Sequence, residues 1–229
     1  MTLPDANTLL HELDERGYAR LPGLLSVSEC ETLISAYSDD HRYRSVISME
    51  RYRFGRGEYK YFAYPLPDSV ERLRQGLYPS LANVANIWSE RLGQNANWPD
   101  RLNDLTSACH AAGQTRPTPL ILKYQPGDYN CLHQDLYGEI HFPLQVILGL
   151  SAPGEDYDGG ELVLVEQRPR QQSRPIVIQP ALGEGIVIPV KDRPVTSKRG
   201  WSRNQMRHGV SAVQRGQRFT LGIIFHDAR

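Results

Sequence analysis

The sequence predicts a mainly β chain of the α+β class, in which N-terminal helices pack against a C-terminal antiparallel sandwich or barrel. Three observations predict it. Apolar residues recur at helical spacing through much of residues 1–117. From about residue 118 they fall into short runs rich in branched residues, divided by Gly, Pro or Asp. No helical pattern separates those runs, so parallel βαβ units are excluded and a double sheet able to enclose a ligand is favoured. A chain of 229 residues, 40% hydrophobic and 23% charged, suits a single globular domain. The expected organisation is one domain over 1–229: residues 1–117 mostly helical with a hairpin at 51–64, and residues 118–229 as the β core.

Leu9, Leu10 and Leu13 predict a helix over residues 5–17, stopped by Gly17. The stretch YARLPGLL reads as a short strand and turn. Ser28, with Glu31 three residues on, fits a capping box for a second helix that buries Leu33, Ile34 and Tyr37. In RYRFGRGEYKYFAY (51–64), basic and aromatic residues alternate around Gly55-Arg56-Gly57, a hairpin pattern. Residues 68–92 return to helical spacing from Val70 to Leu92, with Pro79 expected to divide them into two helices. The runs PLILKY, HFPLQVILGL, GELVLVEQ, RPIVIQP, GEGIVIPV, RHGVSAV and RFTLGIIFHD are the predicted strands.

Basic and acidic side chains balance at 26 each, so whole-chain charge points to no polyanionic partner. From Arg168 to Arg218, however, eleven basic residues face only Glu184 and Asp192, a stretch suited either to a phosphate or carboxylate partner or to a solvated surface. Cys30, Cys109 and Cys131 are too few and too scattered for a disulfide framework or a structural zinc site. A signal-like N-terminus and a membrane-length apolar run are both lacking, which sets the expectation of a cytoplasmic protein without membrane association. No protein partner is indicated.

The chemistry-bearing stretch is HQDLYGE (133–139). Residues i and i+2 of a strand point to one side, so His133 and Asp135 can aim at one point. His208, in MRHGVSAV, is the best third ligand. Two imidazoles and one carboxylate leave three coordination positions open, a pattern suited to non-haem Fe(II) that activates O2. Ten residues further on, Arg218 and Thr220 stand two apart on the last predicted strand and present a guanidinium and a hydroxyl from one face. Such a pair clamps a carboxylate; the other reading is an ion pair with an acidic residue of the protein itself.

These motifs, with KYQPGDYNCLHQDLYGE, FPLQVILGLS, GGELVLVEQRPRQQSR, RPVTSKRGWSRNQMRHGVS, RFTLGIIFHDA and the earlier GRGEYKYFAYPLP, carry a resemblance. The chain resembles an Fe(II)/2-oxoglutarate-dependent dioxygenase, and more narrowly a bacterial AlkB-related family described as acting oxidatively on damaged, methylated DNA. The likeness spans most of the chain and is densest from 120 to 228. It implies a double-stranded β-helix, also called a jelly roll, of cupin-like form. It implies Fe(II) held by His133, Asp135 and His208, and 2-oxoglutarate held by Arg218, Thr220 and Tyr124. It also implies O2 as oxidant, oxidative decarboxylation of 2-oxoglutarate to succinate and CO2, and hydroxylation of a substrate C–H. On an N-methyl group the product releases formaldehyde. Two positions depart from AlkB: Leu122 replaces an asparagine and Ile224 a second arginine, so the cosubstrate is seated differently.

Tyr137 and Glu139 are candidate substrate contacts at the cavity mouth. Arg51, Arg53, Arg56 and Lys60, interleaved with Tyr52, Phe54, Tyr59, Tyr61 and Phe62, suit either nucleic-acid stacking or packing over the barrel mouth. KRGWSR (198–203) suits phosphate contact or an exposed turn. His226 is placed near the cavity rim, whereas His11, His41, His110 and His141 read as structural or surface residues. A DNA-repair substrate would reach the iron as a flipped or single-stranded base. Hydroxylation of a protein side chain or small metabolite uses the same chemistry. A non-catalytic jelly-roll binding module and a hydrolytic zinc site are the readings from other classes; zinc hydrolysis has no need of the carboxylate clamp.

Overall fold

The computed structural model describes residues 5–198 and 200–229. Helix α1 (Ala6–Arg16) is capped by the Asp5 carboxylate, which accepts the Asn7 and Thr8 N–H groups at 2.8 and 3.0 Å, and ends where Gly17 turns left-handed at φ 82°. Strand β1 (Ala19–Leu21) follows. Helix α2 (Val27–Ser35) buries Cys30 and Leu33, and a 3-10 turn carries Tyr37 into the same core. Its capping box is Ser26 with Glu29, two residues before the predicted Ser28 and Glu31. Both pairs have the required spacing, so the template alone could not choose between them.

Strand β2 (Tyr43–Ser48) leads into the one-turn helix α3 (Met49–Tyr52) and then into β3 (Gly55–Arg56) and β4 (Glu58–Phe62). The predicted hairpin is not formed. β4 pairs with β2, while β3 pairs with a strand of the opposite sheet. The glycines serve close approach: a Cβ on Gly55 would stand 2.3 Å from the Tyr129 carbonyl oxygen, and one on Gly57 3.2 Å from that of Lys123. The chain passes from one sheet to the other at this point.

Helix α4 (Asp68–Arg91) is continuous through Pro79, against expectation. Pro79 is exposed, so the carbonyl it leaves without a partner can meet water, while Leu73, Leu77, Leu81 and Trp88 anchor both halves to one core. Helix α5 (Leu102–Ala111) packs on α4.

The β core follows as β5 (Leu120–Tyr124), β6 (Tyr129–His133), β7 (Leu144–Gly149), β8 (Tyr157–Gly159), β9 (Leu162–Gln167), β10 (Arg174–Ile178), β11 (Gly185–Pro189), β12 (Asp192–Ser197), β13 (Gly200–Val210), β14 (Val213–Gly216) and β15 (Arg218–Ile223). One sheet runs β1-β11-β7-β15-β5-β4-β2; the other runs β10-β9-β13-β6-β3, with β12 on β13. Strands of the N-terminal half thus extend the larger sheet, and among the described residues the pairings between named strands are antiparallel.

Strict alternation sorts the larger sheet. Val146, Leu148, Val187, Leu221 and Ile223 face the helices in one core. Ile186 and Ile188 turn inward and meet Leu162, Leu164, Ile178 and Met206 of the smaller sheet. That second cluster fills one end of the sandwich. The other end holds a cavity of about 310 Å³ lined by inward residues of both sheets.

The basic run from Arg168 to Arg218 forms no single patch. Arg193 is buried against Glu166 at 3.0 Å, Arg203 faces Asp192 at 3.7 Å, and Arg215 pairs with Asp158 at 2.6 Å. All three cysteines are free. Among the described residues no helix is long and apolar enough to cross a membrane.

Candidate metal and cosubstrate site

β6 and β13 are adjacent and antiparallel, and their register sets His133 directly opposite His208. Asp135 follows two residues after β6 and turns back into the same space. One potential ligand atom from each of the three residues lies within 4.8 Å of the others, the only such grouping of His, Cys, Asp and Glu among the described residues. His208 Nε2 is 3.2 Å from Asp135 Oδ2, and His133 Nε2 is 3.6 Å from Asp135 Oδ1.

Neighbouring groups orient these ligands. The Cys131 carbonyl lies 2.8 Å from His133 Nδ1, which fixes a proton there and turns Nε2 toward the cavity. The Tyr137 hydroxyl donates to Asp135 Oδ1 at 2.5 Å. Gln145 Nε2 stands 3.3 Å from His208 Nε2. Burial pushes the Asp135 carboxyl upward, but bonds and charge from His208, His133 and Tyr137 outweigh it and hold the group ionised. Burial and the neighbouring His208 lower the His133 pKa, which favours the neutral, ligating imidazole.

On β15, Arg218 and Thr220 point into the cavity while Phe219 and Leu221 face the helices. Arg218 is 1% exposed. Its Nη1 donates weakly to Thr220 Oγ1 at 3.4 Å, and its Nε and Nη2 have no hydrogen-bond partner. The guanidinium lies 5.3 Å from the Tyr124 ring and 5.9 Å from the Tyr157 ring. Gly160 makes room for it, since a Cβ there would approach Arg218 Cδ to 2.8 Å. No carboxylate of the described residues pairs with Arg218, so the alternative of an internal ion pair is not realised. A buried guanidinium without a counter-charge is costly, and a bound anion removes the cost. The Tyr124 hydroxyl is buried; its pKa is pushed up to about 12 by burial, against the pull of Arg218 and Asn130.

The structure therefore brings His133, Asp135, His208, Arg218, Thr220, Tyr124 and Tyr137 to one cavity. Leu122 and Ile224 line it too, giving apolar wall where AlkB-type proteins carry polar side chains. Glu139 lies elsewhere, exposed and 3.1 Å from Arg229. Trp201 and Arg203 of the KRGWSR segment are outside the cavity lining, with Arg91 stacked over Trp201 at 4.0 Å; Arg199 lies outside the described residues. His110, read as a structural or surface residue, lies 2.9 Å from Asp227. Gln145, Tyr157 and Gly160 were missed; a glutamine interrupting an apolar run was the signal for Gln145.

His226 is fully buried behind Tyr137 rather than at the rim. Its Nδ1 accepts the Phe142 N–H at 3.1 Å and its Nε2 has no partner. Burial pushes its pKa down to about 3; His141 and Arg74 add to the effect and Asp135 opposes it. The unfolded chain therefore binds a proton that the folded chain refuses. The stability this group contributes is complete above the unfolded pKa of about 6.5 and is lost between that value and the folded pKa of about 3, at up to roughly 1.4 kcal/mol per pH unit. In urea titrations across this range, His226→Asn, whose amide oxygen can replace Nδ1 as acceptor, is expected to flatten that slope. An unchanged slope would exclude His226 as its source.

Iron(II) accepts a two-histidine, one-carboxylate set and keeps positions open for O2 and a keto acid. The unpaired guanidinium fits the far carboxylate of such an acid. Fold and site together define an iron(II)- and 2-oxoglutarate-dependent oxygenase. The family model Oxygenase-NA, described as an oxygenase catalysing oxidative methylation of damaged DNA, matches residues 57–228, and the chain belongs to that family. An uncharacterized Mycobacterium tuberculosis protein, matched in two strains, is 54% identical over 167 residues, 73% of this chain and 72% of its own length. Among solved structures, a Pseudomonas putida prolyl-4-hydroxylase shares the fold with TM-score 0.54 and 13% identity over 98% of this chain and 99% of that one. A 2OG-Fe(II) oxygenase family oxidoreductase from Burkholderia pseudomallei aligns with TM-score 0.54 and 16% identity over 99% and 93%.

Proposed function

We propose that this oxygenase hydroxylates a C–H bond of an N-alkyl group on a nucleic-acid base, releasing the alkyl carbon as an aldehyde. The observation that carries the reading is the joint placement of the three ligands and the unpaired Arg218 in one cavity of about 310 Å³. That volume is near the lower end for ligand pockets. Once 2-oxoglutarate occupies the Arg218 end, only a small group can enter beside the metal, so a base must be flipped or unpaired to reach it. The family description points toward damaged DNA.

Bound iron and 2-oxoglutarate supply the oxidising power by coupling decarboxylation to O2 reduction. The chain contributes the rest. His133, Asp135 and His208 hold the metal on one face. Tyr137 fixes the Asp135 carboxylate, Arg218 and Thr220 orient the cosubstrate, and Leu122, Ile147 and Ile224 exclude water.

The test is formaldehyde release from a panel of N-methylated single-stranded oligonucleotides, run with Fe(II), 2-oxoglutarate and O2 beside methylated metabolites and peptides. Release from an oligonucleotide is expected. Turnover confined to peptides or metabolites would reassign the substrate class while leaving the iron chemistry in place.

A further inference from the structure

The alternating basic and aromatic motif of residues 51–62 is divided by the fold. Lys60, Tyr61 and Phe62 are buried along β4 and Tyr59 is half-buried. Arg51, Tyr52, Arg53 and Phe54 remain exposed. Tyr52 and Phe54 are each 48% exposed, and their rings lie nearly parallel at 19° with centroids 5.6 Å apart. The Arg51 guanidinium lies 5.8 Å from the Tyr52 ring centroid. Arg53 and Phe54 line the cavity that holds the three metal ligands, so this ledge borders its mouth.

The ledge is held firmly. The Phe54 carbonyl accepts the Cys131 N–H at 2.8 Å, and Gly55 and Arg56 pair with Asn130 and Tyr129 of β6, the strand that ends in His133. Arg53 adopts φ 60°, a left-handed conformation that glycine would occupy without penalty. A large cationic side chain is kept there in spite of that strain. Arg56 is neutralised by Glu50 at 3.4 Å and Asp128 at 3.3 Å, whereas Arg51 and Arg53 have no carboxylate partner among the described residues.

We infer that Tyr52 and Phe54, with Arg51 and Arg53, form a docking ledge for single-stranded nucleic acid that stacks a base flanking the one delivered to the metal. The inference rests on the nucleic-acid reading of the site. Exposed flat rings give a sequence-tolerant stacking surface, and unpaired arginines beside them suit a phosphate backbone. An apolar protein partner would use the rings but would not need two uncompensated guanidinium groups.

The probe is a fluorescein-labelled oligothymidine of about 12 nucleotides, long enough to span a single-strand site. Its binding to the full chain is followed by anisotropy over a range of salt concentrations. Tyr52→Ala and Phe54→Ala are each expected to weaken binding at least ~5-fold, with Tyr52→Phe close to wild type. Arg53→Gly, which relieves the strained backbone, is expected to fold at least as stably and to reduce the slope of log affinity against log salt by about 0.7. Wild-type affinity that ignores salt, or ledge variants that bind as wild type does, would overturn the ledge. Oligonucleotide demethylation with unaltered binding by these variants would overturn the ledge alone. Ledge-dependent binding without formaldehyde release would uphold it and count against the proposed reaction.

Discussion

Arg218→Met is expected to abolish 2-oxoglutarate binding at ordinary concentrations while leaving metal affinity nearly unchanged and raising the thermal stability of the cosubstrate-free protein. The opposite signs share one origin. Without an anion the guanidinium is 1% exposed, with Nε and Nη2 unsatisfied and only a 3.4 Å contact to Thr220. Replacing such a charge with an apolar chain of similar length removes a desolvation penalty, so a gain of about 1 kcal/mol or more is expected, roughly 2–4 °C for a chain of this size. With the anion present, the same substitution leaves a carboxylate buried beside the Tyr124 and Tyr157 rings without a cationic partner, at a cost of about 2–5 kcal/mol, or roughly 30- to 4,000-fold in affinity. Calorimetric titration with 2-oxoglutarate, separate metal titration and melting curves with and without cosubstrate check the three parts. Equal loss of metal and 2-oxoglutarate affinity would remove the clamp role from Arg218.

The parts of this site legible in the sequence are those fixed by strand geometry. His133 with Asp135, and Arg218 with Thr220, are two-residue spacings, and a strand turns such a spacing into a shared face. The fold class was legible for the same reason, because short branched runs without intervening helices leave few architectures. The features that misled depend on contacts distant in sequence. Gly55-Arg56-Gly57 has hairpin composition, yet its glycines admit the backbones of β5 and β6, which the local sequence cannot reveal. Ser26 and Ser28 satisfy one capping template equally, and burial of Cys30 and Leu33 accompanies the observed start. Pro79 breaks an isolated helix but not one anchored on both sides by buried leucines. α5 has only Leu102, Leu105 and Cys109 buried, too sparse a stripe to stand out. The division of residues 51–62 into a buried strand and an exposed ledge likewise required knowing that β4 enters the larger sheet and β3 the smaller.

Asp135→Ala is expected to lower metal affinity by more than about a hundredfold, since loss of outer-sphere partners alone costs about 10- to 100-fold, and to reduce 2-oxoglutarate turnover to background. The reason is electrostatic. Imidazole ligates a metal in its neutral form, so Asp135 would be the only anionic member of the set, and Tyr137 together with both histidines keeps it ionised despite its burial. The fold itself should survive. None of the three ligands belongs to the apolar clusters that join the helices to the larger sheet or close the far end of the sandwich. Removing the metal with a chelator should therefore lower the melting temperature only by the linkage contribution of a bound ligand, about 3–4 kcal/mol at a hundred- to thousandfold excess over the dissociation constant, without unfolding the chain. A structural metal behaves differently, because its binding energy is folding energy and chelation denatures the protein. Metal content by elemental analysis, succinate formation and melting curves of wild type, chelated wild type and Asp135→Ala separate the two cases. Chelated protein that loses its circular dichroism at room temperature would make this a structural metal site and leave the oxygenase assignment without a catalytic centre.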